Sequence, residues 1–496
     1  MGFDILEGRG IIPGMMNDVK SIASTSTPVA VSRRSFFQAA LVGAAGVMAA
    51  PQLTRSADVT ATVAGKFQEP AHTLPLHDEA DVIVCGAGPA GVSAALAAAR
   101  AGARTRLFDM NGCLGGVWTA GLLTWIFDFN KPGLTRELVR KLDDRKARRN
   151  TNPDRFTYEP EAMKLLLEDL CAEAKVTSQL HTRVAAAYRD GARLTTVITE
   201  SKSGREAWRA PVFIDATGDG DVGAQAGCGW DCGQAPDGAC QPLTMNALAV
   251  VRDVTALAEF ISFYNNSDTR HIEAVTAFKG ELKRAGCETS YGHPTLFHVR
   301  DNVLTVMVNH EYGIKAYDAA HLTEATLRAR AEVLHTVDAL RALGGPWTGM
   351  QVVATAEQIG IREGRRIHGR YLVSRDDLIS GARHPDAVAR VTFNVDIHAP
   401  DRKKNEAETI SHGGFKMKPY DIPLRALIAK DLDGLMMAGR CISGDFIAHA
   451  SYRVTGNAVA MGEAAGAVAA LAARTGRLPH EIAWPEAAKL LGKLQG

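Results

Sequence analysis

The sequence has almost no net charge, because 56 Lys and Arg residues face 55 Asp and Glu residues and leave a formal charge of +1 at pH 7. A basic excess would indicate a nucleic-acid partner, and an acidic excess would indicate a solvating tail. The composition therefore indicates neither a nucleic-acid partner nor an acidic tail. Beyond the N-terminal region, the chain also lacks an apolar stretch of ~20 residues, so we expect no stable membrane span.

Cysteine is sparse and scattered, with eight residues in 496 and no C-x-x-C pair. This spacing excludes a disulfide scaffold and the simplest dithiol redox site. Three cysteines lie closer together, at Cys228, Cys232 and Cys240. A zinc site would need tighter pairs and a fourth ligand, so we expect no metal here. A disulfide in an oxidising compartment is the alternative.

The N-terminal region carries Arg33 and Arg34 before an uncharged stretch, 39–50, that is rich in Ala, Gly and Val. This order is typical of a twin-arginine export signal, and the stretch is too short to span a bilayer. The alternative is a surface arginine pair before a buried helix. We predict a signal region at 1–50, a linker at 51–77 and a periplasmic or otherwise exported protein. The twin-arginine export machinery carries folded proteins, which suits a protein that takes up its cofactor in the cytoplasm.

A dinucleotide-binding pattern begins at residue 81. The apolar run 81–85 predicts a buried parallel strand, and the glycine-rich turn 86–91 follows at once. An Ala-rich helix, a second strand at 105–108 and Asp109, which stands 23 residues after Gly86, complete the expected order. The glycines allow a tight turn and close approach of a pyrophosphate to a helix N-terminus, and the acid is expected to bind ribose.

Two glycines after this acid favour FAD over NAD. Gly115 and Gly116 would let the backbone lie against an extended cofactor, whereas an NAD domain usually continues with another helix and strand. A second match to the glycine pattern, at 218–223, is discounted because its two aspartates would repel a pyrophosphate. We instead expect strand 212–217 to end in Ala-Thr-Gly at the cofactor edge of the sheet.

With this order of motifs the chain resembles FAD-dependent oxidoreductases of the glutathione-reductase-like superfamily, and among them a bacterial family with a Leu-Gly-Gly turn. The resemblance runs from about residue 80 to about residue 476. The matching segments are 86–91, 114–119, 213–221, 365–372, 396–398, 435–440, 451–454 and 461–466. It implies an α/β fold, with a Rossmann-like FAD-binding domain and an inserted α+β substrate domain.

The resemblance also implies a set of cofactor contacts. Gly439 and Arg440 would return the chain to the flavin, and helix 455–475 would point its N-terminus at the flavin N1/O2 edge. For Arg440 and Arg453 the alternative is an ion pair with a core acid. The residues expected to contact FAD are Gly86, Gly88, Pro89, Ala90, Gly91, Asp109, Met110, Gly115, Gly116, Val184, Ala216, Thr217, Gly218, Gly439, Arg440, Arg453 and Val454.

In the predicted domain organisation, a substrate domain interrupts the FAD-binding domain. Its parts are 78–245 and 390–476, with a substrate domain at 246–389 and a C-terminal tail at 477–496. Strands near 297–299 and 303–309 and a helix at 321–343 are predicted in the substrate domain. We expect the substrate pocket between the domains, over the flavin.

Hydride transfer to a flavin needs a protein base, and two histidines are candidates. His398 belongs to the Asp-Ile-His segment, and His449 stands shortly before Arg453, which is itself a candidate catalytic residue beside the flavin. Both histidines could instead be structural. Three arginines that could bind a substrate carboxylate, or form a solvated helix face, are Arg362, Arg365 and Arg366.

The leading hypothesis is an exported FAD-dependent dehydrogenase or oxidase acting on a small organic molecule. Oxygen or a cell-envelope electron acceptor would reoxidise it, since no second dinucleotide site supports NAD(P)H. One alternative is a redox-neutral flavoenzyme (a lyase, hydratase or isomerase) that uses FAD as a scaffold or transient hydride carrier. Another is a non-catalytic flavin-binding carrier, for which no pocket would lie over the flavin.

Overall fold

The computed structural model describes residues 62–63, 66–149, 152–266, 270–403 and 410–494. The chain divides into two compact units, Met1–His72 and Thr73–Gly496. In the first unit, the described residues include one antiparallel pair of short strands, Thr62–Val63 (β1) and Lys66–Phe67 (β2). The predicted twin-arginine signal lies outside the described residues. The remaining described elements belong to the second unit.

The strands of the second unit are mostly short. In chain order they are Leu76–His77 (β3), Val82–Cys85 (β4), Thr105–Phe108 (β5), Trp125–Ile126 (β6), Arg148–Arg149 (β7), Phe156–Tyr158 (β8), Thr177–Gln179 (β9), Arg183–Asp190 (β10), Arg193–Ser201 (β11), Gly204–Arg209 (β12), Val212–Asp215 (β13), Trp230–Asp231 (β14), Ala247–Val250 (β15), Thr295–Arg300 (β16), Val303–Met307 (β17), Gln351–Thr355 (β18), Arg366–Ile367 (β19), Ala387–Val391 (β20), Ile397–His398 (β21), Ile410–Ser411 (β22), Tyr420–Pro423 (β23) and Leu435–Met437 (β24).

The α-helices that the structure describes range from one turn to seven turns. In chain order they are Pro89–Arg100 (α1), Leu134–Asp144 (α2), Pro160–Glu173 (α3), Asp221–Gln225 (α4), His271–Arg284 (α5), Ala319–Leu343 (α6), Arg375–Ser380 (α7), Phe446–Tyr452 (α8), Thr455–Thr475 (α9) and Trp484–Leu494 (α10).

A five-stranded parallel sheet with the order β24–β13–β4–β5–β9 forms the centre of the second unit. Strands β4, β13 and β24 are buried throughout, which is typical of parallel strands covered by helices on both faces. Helix α1 connects β4 to the adjacent parallel strand β5. This strand–turn–helix–strand unit confirms the predicted Rossmann-like α/β fold.

A second, antiparallel sheet has the order β16–β17–β15–β18 and is formed by residues between β13 and β24 of the chain. It shares a separate core with α5 and α6, including the buried Phe278 and Trp347. Helix α6 buries Ala325, Ala329 and Val333 at intervals of four, the spacing of one helical face. The predicted strands and long helix of this region are therefore present, whereas the domain boundaries and the status of the region as an inserted domain stay predictions.

Smaller sheets and the C-terminal helix complete the second unit. The sheet orders are β10–β11–β12–β3, β6–β8–β7, β14–β19, β20–β23 and β21–β22. The range expected to be a C-terminal tail contains helix α10, because its apolar residues follow a helical spacing. Its Leu491 packs against Ala97 and Ala467 in a small cluster on the other helices.

Helices α1 and α9 cross at unusually short range. A Cβ on Gly462 would lie 2.2 Å from the carbonyl oxygen of Ala90, and a Cβ on Gly466 would lie 2.2 Å from that of Ala94. Only glycine permits this approach. Helix α9 is long and apolar enough to cross a membrane, but 83% of its most apolar window is buried inside the protein. We therefore interpret α9 as a core helix.

We predict that Gly462→Val destabilises the protein by at least ~2 kcal/mol, because a side chain there can only be accommodated by separating α1 from α9. Thermal or urea unfolding of the purified variant measures the effect. Gly492→Ala in α10 is the matched control, since a Cβ at Gly492 meets no atom within 4 Å. Equal stability of the two variants would contradict the proposed packing constraint.

Candidate functional site

A cavity of about 360 Å³ opens at the carboxyl ends of the parallel strands. Residues directly after four of these strands line it, namely Gly86, Asp109, Ala216 and Ala438. In parallel α/β sheets, ligands bind at this end, where connecting loops of adjacent strands leave a crevice. The size lies within the range of ordinary small-molecule pockets.

The glycine-rich turn is held by contacts that exclude side chains at two of its three glycines. Gly86 has a φ of +98°, and a Cβ on Gly91 would lie 1.7 Å from the Gly86 carbonyl oxygen. Gly88 differs, because a Cβ there would meet no protein atom within 4 Å. Gly88 lines the cavity and caps α1, whose first turn has no acidic residue and no side-chain cap. This helix end is therefore open to an anion such as a pyrophosphate.

Asp109 connects the second strand to the glycine-rich turn. One carboxylate oxygen accepts a hydrogen bond from the Ala87 N–H at 2.5 Å, and the other accepts from the Asn111 N–H at 2.7 Å. Burial raises the pKa of the carboxyl group despite these two bonds. A carboxylate has about four acceptor positions, so capacity remains for the ribose hydroxyls that the sequence pattern predicts.

The Leu-Gly-Gly turn lies against the glycine-rich turn. The Gly115 N–H donates to the Ala87 carbonyl at 2.8 Å, and Gly115 has a φ of +106°. A Cβ on Gly116 would lie 2.9 Å from the Cα of Gly88. Gly116 lines the cavity, whereas Gly115 does not. The role of Gly115 is therefore to permit the turn that places Gly116.

The Ala-Thr-Gly turn after β13 is stabilised by the buried Asp215. Its carboxylate accepts hydrogen bonds from the N–H and hydroxyl of Thr217, at 3.1 and 2.7 Å, and from the Gly223 N–H at 3.0 Å. Burial raises the pKa of Asp215 to about 6. Ala216, Thr217 and Gly218 line the cavity.

Both aspartates of the second glycine match are paired with arginines. Arg440 Nη2 lies 3.0 Å from Asp219 Oδ1, and Arg365 forms an ion pair with Asp221. Arg440 also lines the cavity, so its ion pair with a core acid leaves the predicted cofactor contact possible at this residue. The local charge is thereby neutralised, which removes the repulsion expected from the sequence.

The N-terminus of α9 provides a second open helix end at the cavity. Val454 caps this helix without a side-chain hydrogen bond, and its first turn has no acidic residue. Arg453, Val454, Thr455 and Ala458 line the cavity here, beside Gly439. Two helix N-termini, those of α1 and α9, therefore face the same cavity and favour negative charge at two points.

The far part of the cavity has an aromatic wall, which we define as Trp125, Phe127, Phe263, Phe297 and Phe393. Trp125 stacks on Phe263 with ring centres 4.4 Å apart and on Phe297 with ring centres 5.3 Å apart, and both interplanar angles are 5° or less. Phe127 packs against Phe393 at 5.5 Å. These rings support one another, so the wall is formed before any ligand binds.

Asp396 and His398 line the cavity together, with Asp396 Oδ2 3.4 Å from His398 Nε2. Asp396 Oδ2 also accepts a hydrogen bond from Arg453 at 2.9 Å. Burial and the positive charge of Arg362 lower the pKa of His398 to about 4, against the opposing effect of Asp396. Burial alone would raise the pKa of Asp396, but His398, Arg453 and Arg362 hold it below its usual range. Near neutral pH the pair is therefore a neutral imidazole beside a carboxylate.

The other candidates from the sequence occupy different places. His449 is fully buried, does not line the cavity, and has its Nδ1 3.8 Å from Glu363 Oε1. Arg366 forms a buried ion pair with Glu363 at 3.1 Å, and Arg365 forms an ion pair with Asp221. Arg362 is the member of the arginine group that lines the cavity.

The three neighbouring cysteines separate into a pair and a single residue. The sulfur atoms of Cys232 and Cys240 lie 3.5 Å apart as free thiols, and Cys228 is a buried free thiol. Among the described residues, no group of three His, Cys, Asp or Glu side chains could hold a metal ion. Cys113 is likewise a buried free thiol that does not line the cavity.

Of the residues expected to contact FAD, all except Gly91 and Gly115 line the cavity. The aromatic wall and Tyr291 are among the cavity residues that the sequence did not indicate. They come from separate elements and follow no motif. Asn246 and Gln358, which also line the cavity, were missed for the same reason.

A sequence model of the FAD-dependent oxidoreductase family matches residues 81–494. The chain belongs to this family, and its cofactor is FAD. Three features of the structure suit FAD: two helix N-termini without side-chain caps, an acid beside the glycine-rich turn, and open space beside Gly88.

Three individual proteins illustrate the similarity of the chain to known proteins. A thiamine thiazole synthase of Aeropyrum pernix is 46% identical over 66 residues, which cover 13% of this chain and 23% of that protein. A geranylgeranyl bacteriochlorophyll reductase-like protein of Thermoplasma acidophilum has a TM-score of 0.44 at 13% identity, covering 84% and 83% of the two chains. A flavin-dependent brominase has a TM-score of 0.43 at 10% identity, with coverage of 84% and 83%.

We predict that Gly88→Val lowers FAD affinity at least tenfold, or about 1.4 kcal/mol, while the apoprotein keeps its stability. The Cβ of the valine would meet no protein atom within 4 Å, and the side chain would extend into the cavity that Gly88 lines. Fluorescence titration of apoprotein with FAD measures the affinity. Gly280→Val is the control, because Gly280 is equally open but lies away from the cavity. Unchanged affinity in the Gly88 variant would show that FAD does not approach this turn.

Proposed function

We propose that this protein is an exported FAD-dependent dehydrogenase or oxidase that takes hydride from a small organic substrate. The observation that carries the proposal is the Asp396–His398 pair, which lines the same cavity as the FAD-binding residues. When bound, FAD supplies the hydride acceptor. The chain must then hold the substrate, exclude water and accept a proton.

His398 is the proposed base. Its Nε2 faces the Asp396 carboxylate, which favours the tautomer with the proton on Nε2. Nδ1 then carries the free lone pair, and it is a buried atom without a hydrogen-bond partner among the described residues. Because the pKa of His398 is lowered to about 4, the ring is neutral near pH 7 and able to accept a proton at Nδ1. Asp396 stabilises the imidazolium that results.

The other cavity residues would orient the substrate and keep water away. The aromatic wall is apolar and already packed, so a substrate bound against it loses contact with solvent. Arg453 is held by Asp396 through two hydrogen bonds of 2.9 Å, to its carbonyl and to its carboxylate. This fixes Arg453 beside the N-terminus of α9, where it can stabilise negative charge.

Export and the electron acceptor belong to the same proposal. The support is the Arg33-Arg34 pair before an uncharged stretch, together with a sequence that offers no second dinucleotide site. Oxygen or a cell-envelope carrier would then reoxidise the flavin. The glutathione-reductase-like subtype and the inserted substrate domain are further parts of the proposal, supported by the chain leaving the parallel sheet after β13 and returning at β24.

Anaerobic mixing of the FAD-loaded protein with a small-molecule library tests the reaction. A substrate should bleach the flavin absorbance durably. Product formation without lasting bleaching would instead indicate a redox-neutral flavoenzyme, and no response to any compound would favour the non-catalytic carrier.

With a bleaching substrate in hand, His398→Gln should slow flavin reduction at least ~100-fold, because the proton acceptor is lost. The wild-type rate should be constant near neutral pH and fall as the pH decreases toward about 4, where His398 becomes protonated. Stopped-flow absorbance measures both. His335→Gln, the same change at an exposed histidine of α6, is the control. A variant at position 398 that reduces its flavin at the wild-type rate would exclude His398 as the base.

Replacing Arg33 and Arg34 together by lysine should abolish export in a bacterial host and leave folded, FAD-loaded protein in the cytoplasm. Immunoblotting of cell fractions measures the location, and flavin absorbance measures loading. The same double change at two exposed arginines, Arg375→Lys with Arg402→Lys, is the matched control. Unchanged export of the Arg33 and Arg34 variant would show that this pair is not the signal.

A further inference from the structure

Arg362 is a cation without a carboxylate partner among the described residues. Its Nη1 donates to the Pro242 carbonyl and to the Thr244 hydroxyl, both at 2.7 Å, and both acceptors are neutral. The residue is partly buried, and it lines the cavity. Burial and the nearby charge of Arg453 lower the pKa of Arg362 to about 10, so it keeps its charge near pH 7.

The surrounding groups leave this charge uncompensated. The charge of Asp396 acts on Arg362 and raises its pKa, but Asp396 is already paired with Arg453 at 2.9 Å. His398 is neutral near pH 7, and burial raises the pKa of Tyr291, which keeps the phenol neutral. A largely desolvated charge without a counter-ion is costly, so an anionic ligand beside Arg362 would be favourable.

The cavity around Arg362 combines this cation with an apolar surface. The aromatic wall lines the same cavity, as does Arg362 itself. Since Nη1 is already engaged, Nη2 and Nε remain to donate to an anion, and a guanidinium fits a carboxylate in two parallel hydrogen bonds. A ligand with one anionic end and one apolar body would satisfy both features.

We propose that the substrate is an organic carboxylate, with its carboxylate on Arg362 and its apolar body against the aromatic wall. This rests on the function proposed above and narrows it to one chemical class. The arginine acts by binding the substrate, whereas His398 takes the proton.

Substrate binding would also change the base. Arg362 is, after burial, the main reason that the pKa of His398 is low. A carboxylate that neutralises Arg362 weakens this repulsion and raises the proton affinity of His398. The base would thus become stronger when an acid substrate occupies the cavity, which discriminates against neutral compounds of the same shape.

Three probes test the proposal on the FAD-loaded full-length protein: benzoate, its neutral counterpart benzamide, and acetate, an anion without an apolar body. Perturbation of the flavin spectrum reports binding, and isothermal titration calorimetry measures affinity. We expect benzoate to bind at least tenfold more tightly than benzamide or acetate. Arg362→Met should weaken benzoate binding at least thirtyfold, and Arg362→Lys should weaken it less.

Arg330→Met is the matched control, because Arg330 also donates to a neutral threonine hydroxyl but lies away from the cavity. Two outcomes would overturn the proposal: benzamide binding as tightly as benzoate in the wild-type protein, or unchanged benzoate affinity in Arg362→Met. If Arg362→Met lowers the reduction potential of the flavin but leaves benzoate affinity unchanged, the charge of Arg362 acts on the flavin and not on the substrate.

Flavin stoichiometry separates this proposal from the proposed function. A wild-type protein that binds no FAD contradicts the function, yet calorimetry on that protein still reports whether benzoate binding depends on Arg362. Conversely, suppose that only neutral compounds bleach the flavin of the FAD-loaded protein. That result would support the proposed oxidoreductase function but exclude a carboxylate substrate.

Discussion

The close crossing of α1 and α9 is the constraint on which the rest of the site depends. Glycines at 462 and 466 allow α9 to lie against the carbonyl groups of α1, and Gly91 allows α1 to lie against the glycine-rich turn. These contacts bring two helix N-termini, from opposite ends of the second unit's sequence, to one cavity. Wider spacing would leave the cofactor with one helix dipole instead of two.

The charges of the cavity follow from this arrangement and differ between its ends. Near the glycine-rich turn, the two acids of the second glycine match are neutralised, Asp219 by Arg440 and Asp221 by Arg365, whereas Asp109 accepts two backbone N–H bonds. At the aromatic end, Arg453 and Asp396 neutralise each other, and Arg362 keeps an unmatched positive charge. The positive charge of Arg362 and the two open helix termini therefore favour anions at separate points of the cavity.

The sequence predicted the cofactor half well because that half is local. Strand β4, the glycine-rich turn, α1 and Asp109 are consecutive, so their spacing carries the geometry. The substrate half could not be predicted in this way. Trp125 and Phe297 come from distant segments and meet only through tertiary packing, and nothing in the sequence distinguishes buried His449 from His398 at the cavity wall. Arg362 is one of three arginines that the sequence offers as carboxylate-binding candidates, and only tertiary packing shows that it is the one lining the cavity.

The stacking of the aromatic wall has an electrostatic consequence. Because Trp125 lies in parallel against both Phe263 and Phe297, its ring faces, which carry the negative part of the π quadrupole, are occupied. What such a stack offers a neighbour is ring edges, where the partial charge is positive. The stack around Trp125 is therefore apolar in composition, but its ring edges have the same preference for electron-rich groups as a guanidinium.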